Sequence, residues 1–221
     1  MIQIDLFSDV ICPWCFIGKR RLERALKVRS EVKVNINWRA FQLNPDMPRS
    51  GMSRESYLET KFGGPERAKN IYENIRKAGE SEGLDFKFEK IKQTPNTVLA
   101  HRLIAWSKQL HMADKVVEAL FSAYFFEGQD IGSIETLNEL VEGLDINAKH
   151  FVEYINTEEG SREVSSETKY AYENGITGVP CFIFNKKYAV SGAQEPESFF
   201  PLFDLNLNGE VENQDLSGNS S

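Results

Sequence analysis

Apolar and polar positions alternate at the start of the chain and then change period. Ile2, Ile4 and Leu6 alternate with Gln3, Asp5 and Phe7, the two-residue period of a strand. From Pro13 to Arg29 the spacing is helical. Cys15, Gly18, Leu22 and Ala25 fall on one face with Leu26 beside them, while Lys19, Arg20 and Glu23 lie off it. Between Val32 and Leu43, Val32, Val34, Ile36 and Trp38 alternate again, predicting a second strand. Strand, helix and strand in this order predict a βαβ unit with a right-handed crossover and parallel strands.

The middle of the chain reads differently. The stretch "NPDMPRSGMS" is turn chemistry, with two prolines and a glycine. Helical spacing follows over Ser53 to Lys61, Pro65 to Glu82 and Thr97 to Gln109, the last carrying Leu99, Leu103, Trp106 and Leu110. Val117, Leu120, Phe121, Tyr124 and Phe125 mark a helix that should stop at Gly128. Ser133 can cap the next, and two more are predicted over Asn147 to Ile155 and Glu158 to Glu173. Strand signals return in "PCFIFNKKYAVSG". Cys181 to Phe184 and Tyr188 to Val190 flank Asn185-Lys186-Lys187, a hairpin whose turn is less ideal than Asn-Gly. A short helix over Glu195 to Leu205 closes the pattern. The fold class is therefore α/β, a βαβ start and a ββα finish separated by an all-helical insertion. Residues 1–45 with 176–207 form the α/β part, 46–175 the insertion, and 208–221, polar and without apolar anchors, a disordered tail.

Composition narrows the function classes. The chain has 221 residues, 26 Lys plus Arg against 33 Asp plus Glu, a net charge of −7 and a pI near 5.2. Such a surface is poorly suited to nucleic acid, where clustered cations must neutralise phosphates. No apolar run is long enough to span a membrane. The segment before Cys12 carries Asp5 and Asp9 rather than a basic stretch followed by an apolar one, so no secretory leader is read there. Three cysteines do not make a secreted disulfide framework, and a cytoplasmic protein is expected. In that setting a C-x-x-C is redox-active or metal-binding.

Cys12-Pro13-Trp14-Cys15 sits where the first strand gives way to the first helix. Residues i and i+3 of a helical turn lie about 5–6 Å apart, within the span a disulfide tolerates. Pro13 suits the first helical position, because its missing N–H would be unpaired there. Cys12 then stands at the helix N-terminus as the reachable thiol, and Cys15 one turn inside as the sheltered one. An anion at a helix N-terminus gains roughly 0.3–2 kcal/mol, which favours the Cys12 thiolate as nucleophile and leaving group. Attack on a disulfide would give a mixed disulfide at Cys12 that Cys15 resolves. Zinc is the main rival. A closed zinc site wants four ligands, however, the third cysteine is far downstream, and His101, His111 and His150 form no ligand pair. No metal is expected. An inert staple is disfavoured, since so short a loop gains little from closure.

Gly178-Val179-Pro180 precedes the returning strand, and X-Pro is the bond type able to be cis. Trp14, between the two cysteines, must be largely exposed and is read with Pro13 as a substrate contact. Cys181 reads as a small buried residue of a central strand. Asp5 and Asp9 read as loop or capping residues, with proton acceptance from Cys15 as the alternative. Lys19-Arg20-Arg21 reads as a solvated helix face. His101 lies off the apolar stripe of its helix and is expected at the surface or lining the cleft, where it is a candidate substrate contact.

A strand ending in Cys-Pro-Trp-Cys, a distant Gly-Val-Pro opening a hairpin and helices between them resemble the DsbA-like thioredoxin-fold oxidoreductases. "FSDVICPWCFIGKRRLERAL", "TPNTVLAHRLI", "AYFFEGQDIGSIETL" and "GITGVPCFIF" are similar to the FrnE-type branch, over about Ile2 to Leu205. The resemblance implies a thioredoxin fold interrupted by the helical insertion. It makes Cys12 the attacking and Cys15 the resolving cysteine. It matches Pro180 to the cis-proline against the disulfide, and Val179 to the residue whose backbone pairs with bound peptide. The implied activity is thiol–disulfide exchange with disulfide- or thiol-containing proteins, with no cofactor and with glutathione as a candidate redox partner. Trp14 replaces the histidine of the periplasmic oxidant, so a strongly oxidising potential does not follow. Two other readings stand beside this one. Kappa-class glutathione transferases and hydroxychromene-carboxylate isomerases share the fold but usually replace a cysteine with serine, and a holdase-like binding module would leave both thiols incidental.

Overall fold

The first strand, β1 (Ile2–Ser8), is apolar along most of its length because it runs through the centre of a four-stranded sheet with both faces covered. The computed structural model describes residues 1–205, so the expected tail at 208–221 lies outside the described residues. β1 leads through a short loop into α1 (Pro13–Val28), which returns the chain to β2 (Val34–Ala40). β1 and β2 are parallel and in register from Ile2 opposite Val34 to Ser8 opposite Ala40, the expected βαβ unit. The hairpin β5 (Cys181–Phe184) and β6 (Tyr188–Ser191) completes the sheet in the order β2-β1-β5-β6, with β5 antiparallel to β1. Its turn holds Asn185 and Lys186 at φ of 48° and 58°. Asparagine tolerates the left-handed region and lysine does so less readily, the physical reason the turn reads as less than ideal.

The two faces of the sheet belong to different parts of the core. Leu6 and its cross-strand partner Phe182 face the main cluster with Phe16, Ile17 and Phe199. Phe7 and its partner Cys181 face the opposite side, against Phe41, Ala171 and Ile176. A 3-10 turn at Pro196–Phe199 and helical residues 200–205 close the described chain.

Between the two halves lie β3 (Met52–Ser53), α2 (Arg54–Phe62), α3 (Pro65–Glu80), β4 (Gln93–Thr94), α4 (Val98–Lys108), α5 (Ala113–Phe125), α6 (Ile134–Gly143), α7 (Ala148–Ile155) and α8 (Ser161–Glu173). The insertion is helical as the spacing predicts, except that β3 and β4 pair in a two-residue antiparallel ladder. Gly128 adopts φ +70° and its N–H reaches the Tyr124 carbonyl, so the helix stop read there is real. The main hydrophobic cluster runs without a break from the sheet into the insertion, and Phe16 of α1 stacks on Phe121 of α5 at 4.7 Å between centroids. Among the described residues, no helix is long and apolar enough to cross a membrane.

Candidate active site around Cys12 and Cys15

Cys12 is the N-cap of α1. Its backbone is extended (φ −93°, ψ 110°), and Pro13 opens the helix with the fixed φ that suits a first turn. The backbone N–H of Cys12 donates to the Asp9 carbonyl at 3.0 Å, and that of Cys15 to the Cys12 carbonyl at 3.0 Å, so the loop and the first turn are tied together. Both cysteines are free thiols. Cys12 is 5% exposed and Cys15 1%, the expected ranking, although Cys12 is more covered than a reachable thiol suggests. The cover includes Val179, whose carbonyl oxygen lies 3.6 Å from the Cys12 Sγ that donates to it. The Val179–Pro180 peptide is cis. Trp14 is 37% exposed and keeps an open face beside the pair, as the sequence predicts.

Cys15 is a different chemical object from its neighbour. Burial pushes its thiol up, and the adjacent Cys12 sulfur adds to the rise by hydrogen bonding and by charge. The Ser8 side chain and the Asp9 backbone work in the opposite direction. Cys181, on the far face of the sheet, is buried at 2% exposure and its thiol is likewise raised by burial, in keeping with a small packed residue.

Three expectations change. His101 is neither at the surface nor open to a substrate: its side chain is 3% exposed and its Nε2 stands 3.4 Å from the Asp9 Oδ1. The reason is that α4 is buried on most of its circumference, Ala100 to Ile104 all lying inside, so position off one apolar stripe does not mean exposure. Asp5 is not a loop or capping residue but lies on the central strand β1 and pairs with Asn37 and Arg39 of β2, whereas Asp9 keeps a loop role, fully buried and accepting the Leu43 N–H at 2.8 Å. The Lys19-Arg20-Arg21 run is not a solvated face. Lys19 and Arg21 are buried, Lys19 meeting Glu118 at 3.0 Å and Asp114 at 3.5 Å, and Arg21 meeting Glu82 at 3.0 Å. Arg20 chelates the Glu118 carboxylate, so α1 is bolted to α5 by ion pairs.

Sequence reasoning missed a cluster in the insertion, one member of which, Tyr72, interacts electrostatically with Cys12. The Arg54 guanidinium lies over the Tyr57 ring at 5.3 Å and the Tyr72 ring at 5.0 Å. Burial raises the Tyr72 hydroxyl, Arg54 opposes that rise, and charge on Cys12 adds to it, which places Tyr72 within electrostatic reach of Cys12. Nothing local in the sequence distinguishes Arg54 from any other helix-start arginine. Tyr57 also borders an open cleft of about 310 Å³ with Leu43, Pro45, Met47 and Met52. Among the described residues, no group of three or more His, Cys, Asp or Glu side chains converges as metal ligands do.

Comparison with known proteins assigns the chain to a family. The chain is 28% identical over 183 residues to the uncharacterized protein YwbO of Bacillus subtilis (strain 168), covering 82% of this chain and 86% of that protein. Its fold superimposes on the crystal structure of a probable DsbA oxidoreductase, SCO1869 of Streptomyces coelicolor, with a TM-score of 0.84. The two share 26% identity, over 94% of this chain and 91% of the other. The cytosolic disulfide reductase DsbM of Pseudomonas aeruginosa, solved with GSH, shares the fold at a TM-score of 0.64 and 16% identity, over 93% and 99% of the two chains. The model of the DSBA-like thioredoxin domain matches residues 3–201, and the chain belongs to that family.

Proposed function

We propose that the protein is a thiol–disulfide oxidoreductase whose working pair is Cys12 and Cys15. The observation that carries this reading is the placement of Cys12 at the N-cap of α1, its sulfur 3.6 Å from the Val179 carbonyl, with Cys15 one helical turn below. Cys12 stands at the open end of the helix beside the exposed face of Trp14, whereas Cys15 is buried a turn inside. Cys12 therefore attacks a substrate disulfide and releases one sulfur. Cys15 then attacks the Cys12 sulfur and releases the other, leaving a Cys12–Cys15 disulfide. Run backwards, the same steps pass the disulfide to a dithiol.

Disulfide- or thiol-bearing proteins are the proposed substrates, with glutathione as the small-thiol partner and no further cofactor. Pro13, Trp14 and the Val179 backbone border the sulfur and are the proposed substrate contacts, with Pro180 held against α1. The solved DsbM complex with GSH and the resemblance to the FrnE-type branch support these assignments. The small cysteine content supports a cytoplasmic setting.

Equilibration with reduced and oxidised glutathione, followed by acid quenching and thiol counting, tests the reading. One two-electron transition should convert the Cys12–Cys15 dithiol to its disulfide, and Cys12→Ser and Cys15→Ser should each abolish it. Glutathione-dependent turnover of an electrophile that survives Cys12→Ser would replace this reading with a transferase. Suppression of aggregation that is indifferent to loss of both thiols, with no exchange activity, would replace it with a binding module.

A further inference from the structure

Cys12 must be met by a second sulfur, yet it is only 5% exposed. The loop that carries it is tied down through the Asp9 carbonyl and through its own carbonyl, which accepts the Cys15 N–H. On the other side β5, directly after Val179 and Pro180, is paired to β1. The α2–α3 hairpin is held far less firmly. α2 buries no residue, and α3 buries Ala68, Ile75 and Gly79, where α1, equally long at 16 residues, buries eight. A nine-residue helix without a buried face has little stability of its own. The two helices join at Gly63 and Gly64, whose φ of 73° and 113° glycine adopts without strain. The hairpin is fixed at its roots. Before α2 stands the β3–β4 ladder, and after α3 stands Glu82, gripped by Arg21 and Arg24 at 3.0 Å each. Between the roots the latch is aromatic and cationic. Tyr72 packs on Phe88 at 4.7 Å between centroids, and Phe62 meets the Tyr72 ring edge-on at 5.9 Å. Arg76 lies over Phe88 at 5.6 Å and donates to the Phe86 carbonyl at 3.0 Å. Phe88 and Cys12 belong to one hydrophobic cluster, and Tyr72 packs against it.

We propose that the α2–α3 hairpin is a gate beside Cys12 that sorts disulfides by size. Closed, it admits small-molecule disulfides; a disulfide borne on a protein chain reacts only when the hairpin swings out. Phe62 and Arg76 set the closed state. The proposal rests on the redox reading above and names the substrate class that the closed form prefers. The way in for a small disulfide is the open cleft of about 310 Å³, in which Tyr57 of α2 and Met52 face Leu43 and Met47. Its volume is that of a small-ligand site, and its two methionines adapt to the shape of an apolar guest. Leu43 joins this cleft to the thiol. Its N–H is held by the Asp9 carboxylate, while the Asp9 carbonyl holds the Cys12 N–H, and Leu43 and Val179 pack against the same cluster. A chain-borne disulfide brings backbone on both sides of its sulfur, and α2 stands in the way as a wall of the cleft. Opening gives up the latch and little burial, the profile of a lid. The chemistry is the same for both substrates. The Cys12 thiolate bonds to one substrate sulfur, the substrate S–S bond breaks, and the other sulfur leaves as a thiolate with the electron pair.

The test uses the full chain carrying Cys15→Ser and Cys181→Ala, in which Cys12 is the one thiol left. It is mixed with 2-hydroxyethyl disulfide and, separately, with a small folded protein bearing one surface cysteine as the same 2-hydroxyethyl mixed disulfide. Loss of the Cys12 thiol gives both rates, and N-acetylcysteine serves as the unhindered reference. The ratio of small to protein-borne disulfide should exceed the reference ratio by about tenfold or more. Phe62→Ala and Arg76→Gln should bring it most of the way back, speeding the protein-borne disulfide while the small one stays within about twofold. A parent ratio equal to the reference overturns the gate. So does an equal rise with both disulfides, or no rise with either, in the two variants. Should a variant fail to fold, amide exchange of the parent decides: α2 and the first half of α3 should exchange at least about tenfold faster than α1, and equal protection overturns the proposal. A Cys12 that reacts with neither disulfide where the reference thiol reacts with both would instead overturn the redox reading itself.

Discussion

A methyl group added to Gly18 would stand 2.8 Å from Cγ of Pro180 and 3.2 Å from the Phe182 ring. Only glycine lets α1 approach this closely, and that approach holds Cys12 against Val179. Gly18→Ala should therefore destabilise by about 1–3 kcal/mol through overpacking, outweighing a helix-propensity gain of roughly 1 kcal/mol. Gly143, at the end of α6, has nothing within 4 Å of an added methyl, so Gly143→Ala should be neutral or stabilising by up to about 1 kcal/mol. Denaturant unfolding of the two variants checks the opposite signs, and Gly18→Ala should also slow disulfide exchange.

Alkaline pH should weaken the reduced protein. Burial raises the thiols of Cys15 and Cys181 above their ordinary value of 9.0 and the Tyr124 hydroxyl above 10.0. The unfolded chain then releases these protons first. Their stabilising contribution is complete below the ordinary values and is lost as pH climbs through them toward the raised ones. Unfolding midpoints of reduced protein should fall from about pH 9 upward, and fall less steeply in Cys15→Ala. A flat profile between pH 8 and 10.5 would be the contrary result.

Removing the anion that joins α1 to α5 should cost stability in a pH-dependent way. Although burial raises the Glu118 carboxyl, Arg20 and Lys19 more than offset this and hold it below the usual 4.5. Its contribution is present above that value and lost as pH falls through the lowered one. Glu118→Gln should cost about 1–2 kcal/mol at pH 7, less than the 3–5 of a fully buried pair. The carboxylate is 34% exposed, and Lys19 keeps Glu23 and Asp114. The gap between parent and variant should close below about pH 4.

Local periodicity made the α/β frame legible. β1, α1, β2 and the hairpin each bury a face whose repeat is visible in a few residues, and Cys12-Pro13-Trp14-Cys15 lies at the joint between two of them. What stayed hidden depends on partners distant in sequence. Lys19 reads as a surface lysine until Glu118, about a hundred positions on, is folded against it. His101 reads as exposed because one stripe of α4 suffices for a surface helix, whereas this helix is enclosed between α5, α7, α8 and the sheet. Arg54 and Tyr57 of α2 meet Tyr72 of α3, which lies within electrostatic reach of Cys12, only through the packing of α2 on α3.

The attacking thiol is identified most directly by trapping. Cys15→Ser should be incubated with oxidised glutathione at pH 7 and the adduct mapped by peptide mass spectrometry. One glutathionyl group on Cys12, absent from the Cys12→Ser,Cys15→Ser double variant and removed by dithiothreitol, is the predicted result. An unmodified Cys12, or an adduct on Cys181 in its place, would contradict the assignment of Cys12 as the nucleophile.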